Sequence, residues 1–438
     1  MITEMDTNRF VTHSLQDPRI QRILCAALDA VDPYRAVQEN LPNLEGRVFG
    51  LGIGKAALPM MDALAERIPL SGGLAVTKYA SSLSRTLYAA IVPNMGVIEG
   101  GHPIPDARSL HAGERVLEFV SSFNENDTLV CLISGGGSAL VTAPYVPLED
   151  LQTLTSLLLA SGARIDEINI LRRQLDRVKG GGLARATKAK IVSLILSDVV
   201  GNPLETIASG PTVPDPTTQK DALRILNKYF PDSTTETLRH RDCLNSVSLC
   251  LRGSKQSDGD DSFMTRTQNF IVGDNKIAAK AALRQANEEG FYAEILTNEL
   301  QGEASEVGVM LARKLRDEIS KRPRPFCLIA GGETTVTIMG QGKGGRNQEL
   351  ALSAVRELGG LENSMLIALA TDGDDGPTDA AGAVVTGESA QRAMMLGLDA
   401  AGSLSRNDAY PFFEGLGDLL KPGPTGTNVN DLIFLIAM

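Results

Sequence analysis

Tryptophan is absent, and Tyr and Phe together bring the aromatic share of these 438 residues to only 4%. A chain so poor in flat side chains has little on which to stack bases, which argues against a single-stranded nucleic-acid platform. Histidine is scarce as well, and four scattered copies argue against a His-based metal centre. Five cysteines (Cys25, Cys131, Cys243, Cys250, Cys327) show no CxxC spacing. An odd number without metal spacing points to a reducing compartment. Cations are outnumbered, giving a net charge of −11. That excludes a general affinity for DNA or anionic membrane, so an anionic ligand would have to be drawn by a few local cations. No apolar run approaches the roughly 20 residues of a membrane span. The first residues carry neither an apolar signal core nor an Arg-rich amphipathic pattern. The expectation is a cytoplasmic protein with no nucleic-acid or membrane partner.

What is present points to an α/β enzyme. Glycine is abundant, at 43 residues, and hydrophobic residues make up 43%. The length predicts two domains. Apolar positions at helical spacing cover residues 15–40. Short β-like runs then alternate with helical stretches: Arg47–Gly52, Leu74–Lys78, Ala89–Val92, Leu129–Ser134 and Ile191–Ser197 read as strands. A polar, acidic stretch, Gly253–Asp261, reads as a loop near a boundary. Alternation resumes with Asn269–Val272, Phe291–Leu296, Phe326–Ala330, Thr334–Ile338, Ser364–Thr371 and Leu432–Ala437. Such alternation implies parallel sheets covered by helices on both faces. The expected domains are 1–250 and 265–438, with residues 1–45 able to pack on the second.

Several glycine-bearing loops fall at expected strand ends, the edge where open α/β sheets bind ligands. Gly50-Leu51-Gly52-Ile53-Gly54-Lys55-Ala56-Ala57 follows a strand and opens a helix, a setting that offers N–H groups and a positive end to an anion. It is not a P-loop, because the spacing is wrong and Ala56 stands where Ser or Thr would bind magnesium. It fits a dinucleotide fingerprint, but no acidic residue follows on the next strand; a tight turn with a solvated Lys55 is the bland alternative. Ser134-Gly135-Gly136-Gly137-Ser138 follows the strand Leu129–Ile133 and permits close backbone approach to a ligand, or else is simply a turn. Asp198 ends another strand, where a carboxylate can hold magnesium, take a hydroxyl proton or cap a helix. After Gly331-Gly332-Glu333-Thr334, the run Gly342-Lys343-Gly344-Gly345-Arg346 again sets glycines and cations ahead of a helix, suiting a carboxylate or phosphate, or else forms a solvated hairpin. Asp372-Gly373-Asp374-Asp375 lacks the register of a calcium loop and could hold a metal, hold a ribose or form a capped turn. Gly423–Asp431, with Asn428, offers small polar groups beside glycine.

Taken in order, GIGKAA, GGHPIPD, SGGGSAL, SDVVGNPLETIASGPTVPDPTT, GKGGRNQELAL, ATDGDDGPTDAAGA and GPTGTNVNDL resemble the signature blocks of glycerate 2-kinases with a C-terminal MOFRL domain. The resemblance runs from about Leu15 to the end. Asn202 replaces the family's usual Asp, and Gly253–Asp261 matches no block. The resemblance implies two Rossmann-like α/β domains with mostly parallel sheets and an interdomain active-site cleft. It implies an ATP- and Mg2+-dependent transfer to the 2-hydroxyl of D-glycerate, with a homodimer compatible. The catalytic candidates are Lys55, Arg346 and Asp198. Ser134, Gly135, Gly136, Gly137 and Ser138 are candidates for substrate. Gly52, Gly54, Gly332, Glu333, Thr334, Asp372 and Asn428 are candidates for nucleotide, and Asp198 and Asp372 for metal. Some relatives carry the name hydroxypyruvate reductase, so an NADP-dependent reductase is the rival enzyme. A sugar- or nucleotide-binding regulatory module is the non-enzyme rival.

Overall fold

A computed structural model describes residues 5–79, 95–231, 238–253 and 261–438. The expected strand Ala89–Val92 and most of the polar stretch 253–261 lie outside the described residues. Two compact units emerge. One comprises residues 37–196 and 202–272; the other comprises the chain up to Ala36, the segment Ser197–Gly201 and everything from Gly273 on.

The first unit is built on a six-stranded sheet of β1 (Arg47–Ile53), β2 (Gly72–Thr77), β3 (Met95–Glu99), β4 (Asp127–Ile133), β5 (Lys190–Leu196) and β6 (Thr267–Gly273). Their order is β3-β2-β1-β4-β5-β6. The pairings from β3 through β5 are all parallel. Every residue of β4 is buried, the continuous burial of a strand covered on both faces. The order reverses between β1 and β4, a topological switch point, where open sheets form a ligand crevice at the strands' C-terminal ends. Strand β6 reads from sequence as the start of the second lobe. It instead extends the first sheet beside β5, because a strand's local pattern does not specify which edge it joins. A separate helical core packs Leu154, Leu171, Leu226 and Val247 from four helices.

The second unit has β7 (Tyr292–Leu300), β8 (Phe326–Gly332), β9 (Ser364–Ala370), β10 (Gly382–Thr386), β11 (Leu419–Leu420) and β12 (Asp431–Ala437), ordered β11-β10-β9-β12-β8-β7. Only β7 and β8 pair in parallel; β12 runs antiparallel between β8 and β9, and β10 antiparallel to β9 and β11. This sheet is therefore mixed rather than mostly parallel. Strands β9 and β10 are joined by a loop, and antiparallel neighbours need no helical crossover. The run Thr334–Ile338 forms no strand; one isolated bridge joins Thr335 to Glu303. The helix Pro18–Asp29 packs on the helix Asn275–Glu288 in this unit, with Arg22 ion-paired to Glu289 at 2.6 Å. No helix among the described residues is long and apolar enough to cross a membrane.

Candidate functional site

In the first unit the loops after β1 and β4 meet at the switch point. Backbone bonds stitch them: Ser134 N–H donates to Ile53 O at 2.9 Å and Lys55 N–H to Gly135 O at 2.9 Å. Gly54 has φ +129°, and a Cβ there would lie 2.2 Å from Ser134 Oγ, so only glycine fits. Ser134 is buried, and its Oγ accepts from Ala56 N–H at 3.0 Å. Its side chain thus braces the two loops rather than presenting itself to a ligand. Gly52 is also internal. It lies within β1, and a Cβ would come 3.1 Å from Ala57 Cβ, so this glycine lets the helix Ala57–Arg67 pack onto the strand.

Lys55 is exposed, and no carboxylate among the described residues pairs with it. Beside it, Gly136 adopts a left-handed φ of +85° just before the short helix Gly137–Leu140. Ser138 Oγ lies 2.7 Å from Ser209 Oγ, joining this loop to a turn in which Ala208 (φ 49°) and Ser209 (φ 62°) are left-handed without being glycine. Such strain persists where surrounding contacts enforce it, and it clusters at working sites. The enforcing contacts are Gly180 N–H to Ser209 O at 2.9 Å and Gly181 N–H to Gly210 O at 2.7 Å. Next to them Lys179 and Asp176 form a buried ion pair at 2.6 Å.

Two further groups stand at this edge: Lys78, after β2, which the sequence did not single out, and His102, after β3, the one histidine expected in a strand-edge loop. Burial, then Lys55, then Lys78, pushes the His102 ring below its usual pKa. Lys78 also stands just past the second strand, where a dinucleotide fold places an acid for the ribose. The signal for His102 was its place in the block GGHPIPD. Asp198 is half-exposed two residues after β5, in the short segment that clusters with the second unit.

In the second unit Gly332 (φ +150°) ends β8 so close to β7 that a Cβ would lie 2.2 Å from Leu300 O. Glu333 follows, its N–H donating to Leu300 O at 2.8 Å, while Thr334 is buried. Arg346 begins the helix Arg346–Leu358. Its Nε and Nη2 donate to the buried Asp431 at 2.6 and 3.1 Å, and its Nη1 to Glu333 at 2.5 Å. Although burial opposes its charge, Asp431 and then Glu333 hold the guanidinium above its ordinary range. The start of that helix is capped by Asp375, which accepts from Asn347 N–H at 3.2 Å and Gln348 N–H at 2.9 Å. Burial raises the Asp375 carboxyl to about 7, against the pull of those two N–H groups. The acidic run after β9 is therefore divided: Asp375 is a cap, while Asp372 is half-exposed and accepts from Asp374 N–H at 3.3 Å. Asn428 Oδ1 accepts from Asn430 N–H at 3.1 Å. Asp431 and Asp375 were missed as partners because each arrives from a remote part of the chain.

Among the described residues no group of three or more His, Cys, Asp or Glu is placed to hold a metal ion. Asp198 and Asp372 do offer hard carboxylate oxygens in half-exposed turns, the donor type magnesium prefers when phosphates and waters complete its shell.

Residues 19–241 match a family described as a domain of unknown function (DUF4147), and residues 326–431 match the MOFRL family. The glycerate 2-kinase of Pyrococcus horikoshii is 41% identical, covering 95% of this chain and 96% of that protein. The D-glycerate 2-kinase of Thermotoga maritima is 43% identical, covering 94% and 96% respectively. A crystal structure of Thermotoga maritima glycerate kinase superimposes with a TM-score of 0.85 at 42% identity, covering 95% of this chain and 98% of that one.

Proposed function

The chain belongs to the glycerate 2-kinase family, and on that premise we propose that it transfers the γ-phosphoryl group of ATP to the 2-hydroxyl of D-glycerate. The observation that carries the reading beyond likeness is Lys55: an exposed cation, paired with no carboxylate among the described residues, on a turn of glycine and backbone at the switch point of the first sheet. Phosphoryl transfer requires mainly positioning and charge stabilisation. Lys55 opposes the charge of the transferred group, and Lys78 adds to the local positive field. Gly135, Gly136 and Gly137 allow the substrate to approach the backbone, with Ser138 supplying a hydroxyl. Asp198 and Asp372 would hold magnesium, which when bound neutralises charge on the phosphate oxygens. Glu333, Thr334 and Asn428 stand in the second-unit loops as candidates for polar contacts to the nucleotide. Arg346 spends three of its five N–H donors on Asp431 and Glu333, so the glycerate carboxylate can take the remaining two, in competition with Glu333 for the charge.

The reductase reading has less support. The fingerprint-like turn at Gly54 lacks its acidic partner, and Lys78 stands in that region instead. A paired assay separates the two. ATP consumption with D-glycerate and magnesium is expected, with no NAD(P)H oxidation on hydroxypyruvate. Rapid NAD(P)H oxidation without ATP turnover would overturn the proposal.

A further inference from the structure

We infer that His102 is a catalytic residue of the first-unit site, whose imidazole takes the proton leaving the substrate hydroxyl as that oxygen attacks phosphorus. The inference rests on the kinase reading and adds to it the group that removes this proton.

The local chain is built to hold this ring still. Gly100 N–H donates to Thr77 O at 3.0 Å, and a Cβ on Gly100 would lie 2.3 Å from Leu140 O, so the loop leaves β3 pressed against its neighbours. Gly101 N–H donates to Ser109 Oγ at 2.9 Å. On the far side Asp106 caps the helix Ala107–Ser121. His102 is thus fixed at both flanks. Histidines kept for structure commonly hold the ring through hydrogen bonds, yet among the described residues the buried His102 Nδ1 has no partner. The neutral ring accepts at Nε2 in the tautomer that keeps its hydrogen on Nδ1.

The other ring nitrogen faces the ligand loop. A Cβ on Gly136 would sit 3.2 Å from His102 Nε2, 3.1 Å from Cδ2 and 3.4 Å from Lys55 Cγ. Gly136 is therefore small for two reasons, its left-handed backbone and the imidazole and lysine that crowd it. His102 and Lys55 flank the same glycine on the edge where the phosphoryl group is proposed to move. Among the described residues the charged groups facing the ring are Lys55, from the turn after β1, and Lys78, just past β2; the loop after β4 brings backbone and hydroxyls. Both cations and burial favour the neutral ring, the form that can accept a proton.

The step balances. The substrate oxygen forms a bond to the γ-phosphorus, the bond from that phosphorus to the ADP oxygen breaks with its electron pair leaving on ADP, and the hydroxyl proton passes to His102 Nε2. The neighbouring cations then favour release of that proton to solvent.

The test uses the full chain with His102→Gln and His102→Asn, their folding checked by circular dichroism. Loss of a general base typically costs about 10²–10⁴-fold in rate. That loss is expected in kcat, with KM for glycerate and ATP held within a few-fold. Wild-type kcat should fall as pH drops through the lowered imidazole pKa, and this acid limb should vanish in the variants. If wild type is active while His102→Gln keeps near-normal kcat and the limb, the His102 assignment is overturned and the kinase reading survives. The same holds if Asp198→Asn, rather than His102→Gln, removes the limb. If wild type turns over no ATP with glycerate, the kinase reading fails and takes the assignment with it. Should the variants not fold, histidine-selective NMR on wild type decides. D-glycerate should shift the His102 titration, and an unmoved titration would contradict the inference.

Discussion

Lys55 and Arg346 look alike in sequence, each a cation beside glycine ahead of a helix, yet the two units treat them in opposite ways. Lys55 stands exposed on a turn made of backbone and glycine, with no carboxylate among the described residues to match it. Arg346 is gripped by Asp431, 85 residues away, and by Glu333. The first is charge on offer to a ligand. The second is charge already answered by the fold, for which a substrate must compete with Glu333. A motif of glycine and cation therefore announces an anion site without telling whether protein or ligand supplies the anion.

Arg346→Ala should have the largest effect. It leaves Asp431, wholly buried, without its partner, and losing one member of a buried pair costs about 3–5 kcal/mol. Urea unfolding should show a loss of that order; a change under about 1 kcal/mol would mean that Arg346 is no more structural than Lys55.

Asp375→Asn comes next. The folded carboxyl at about 7 lies above its unfolded value, so the folded state holds the proton more tightly. Stability from this group is greatest below the unfolded pKa, falls as pH rises from about 4 to about 7, and is level above. Wild type minus Asp375→Asn should lose on the order of 4 kcal/mol across that window, at roughly 1.4 kcal/mol per pKa unit. Parallel pH–stability curves for the two proteins would remove Asp375 from the account.

Lys55→Met should leave stability nearly unchanged and lower kcat by tenfold or more, since a charge-assisted bond is worth about 1.5–3 kcal/mol. Steady-state kinetics and a melt on the same sample check both halves. An unfolded variant with an unaltered rate per folded molecule would reverse the roles assigned to the two cations. The smallest effect is expected from Glu333→Gln. It keeps the Asp431 grip and loosens only the third contact, so the KM for glycerate should fall a few-fold; a rise would mean that Glu333 helps to bind the substrate.

Much of the first unit was legible, because buried parallel strands are continuous apolar runs and their loops carry glycine at the strand ends. Strands β1, β4 and β5 follow from that pattern. The direction of β12 does not, since an apolar run reads the same whether its neighbours run with it or against it. Nor does the edge that β6 joins. In the site, the glycines and cations were legible from spacing, whereas the inward turn of Ser134 and the arrival of Asp375 and Asp431 depend on contacts far apart in sequence. His102 lay in a recognised block, but its unpaired nitrogen exists only in three dimensions.

The phosphate is proposed to pass to the 2-hydroxyl of D-glycerate. Incubation with ATP, magnesium and D-glycerate, with the product identified by phosphorus and proton NMR, tests it most directly. The account predicts 2-phosphoglycerate formed in step with ADP; 3-phosphoglycerate as sole product, or no phosphorylated glycerate at all, would contradict it.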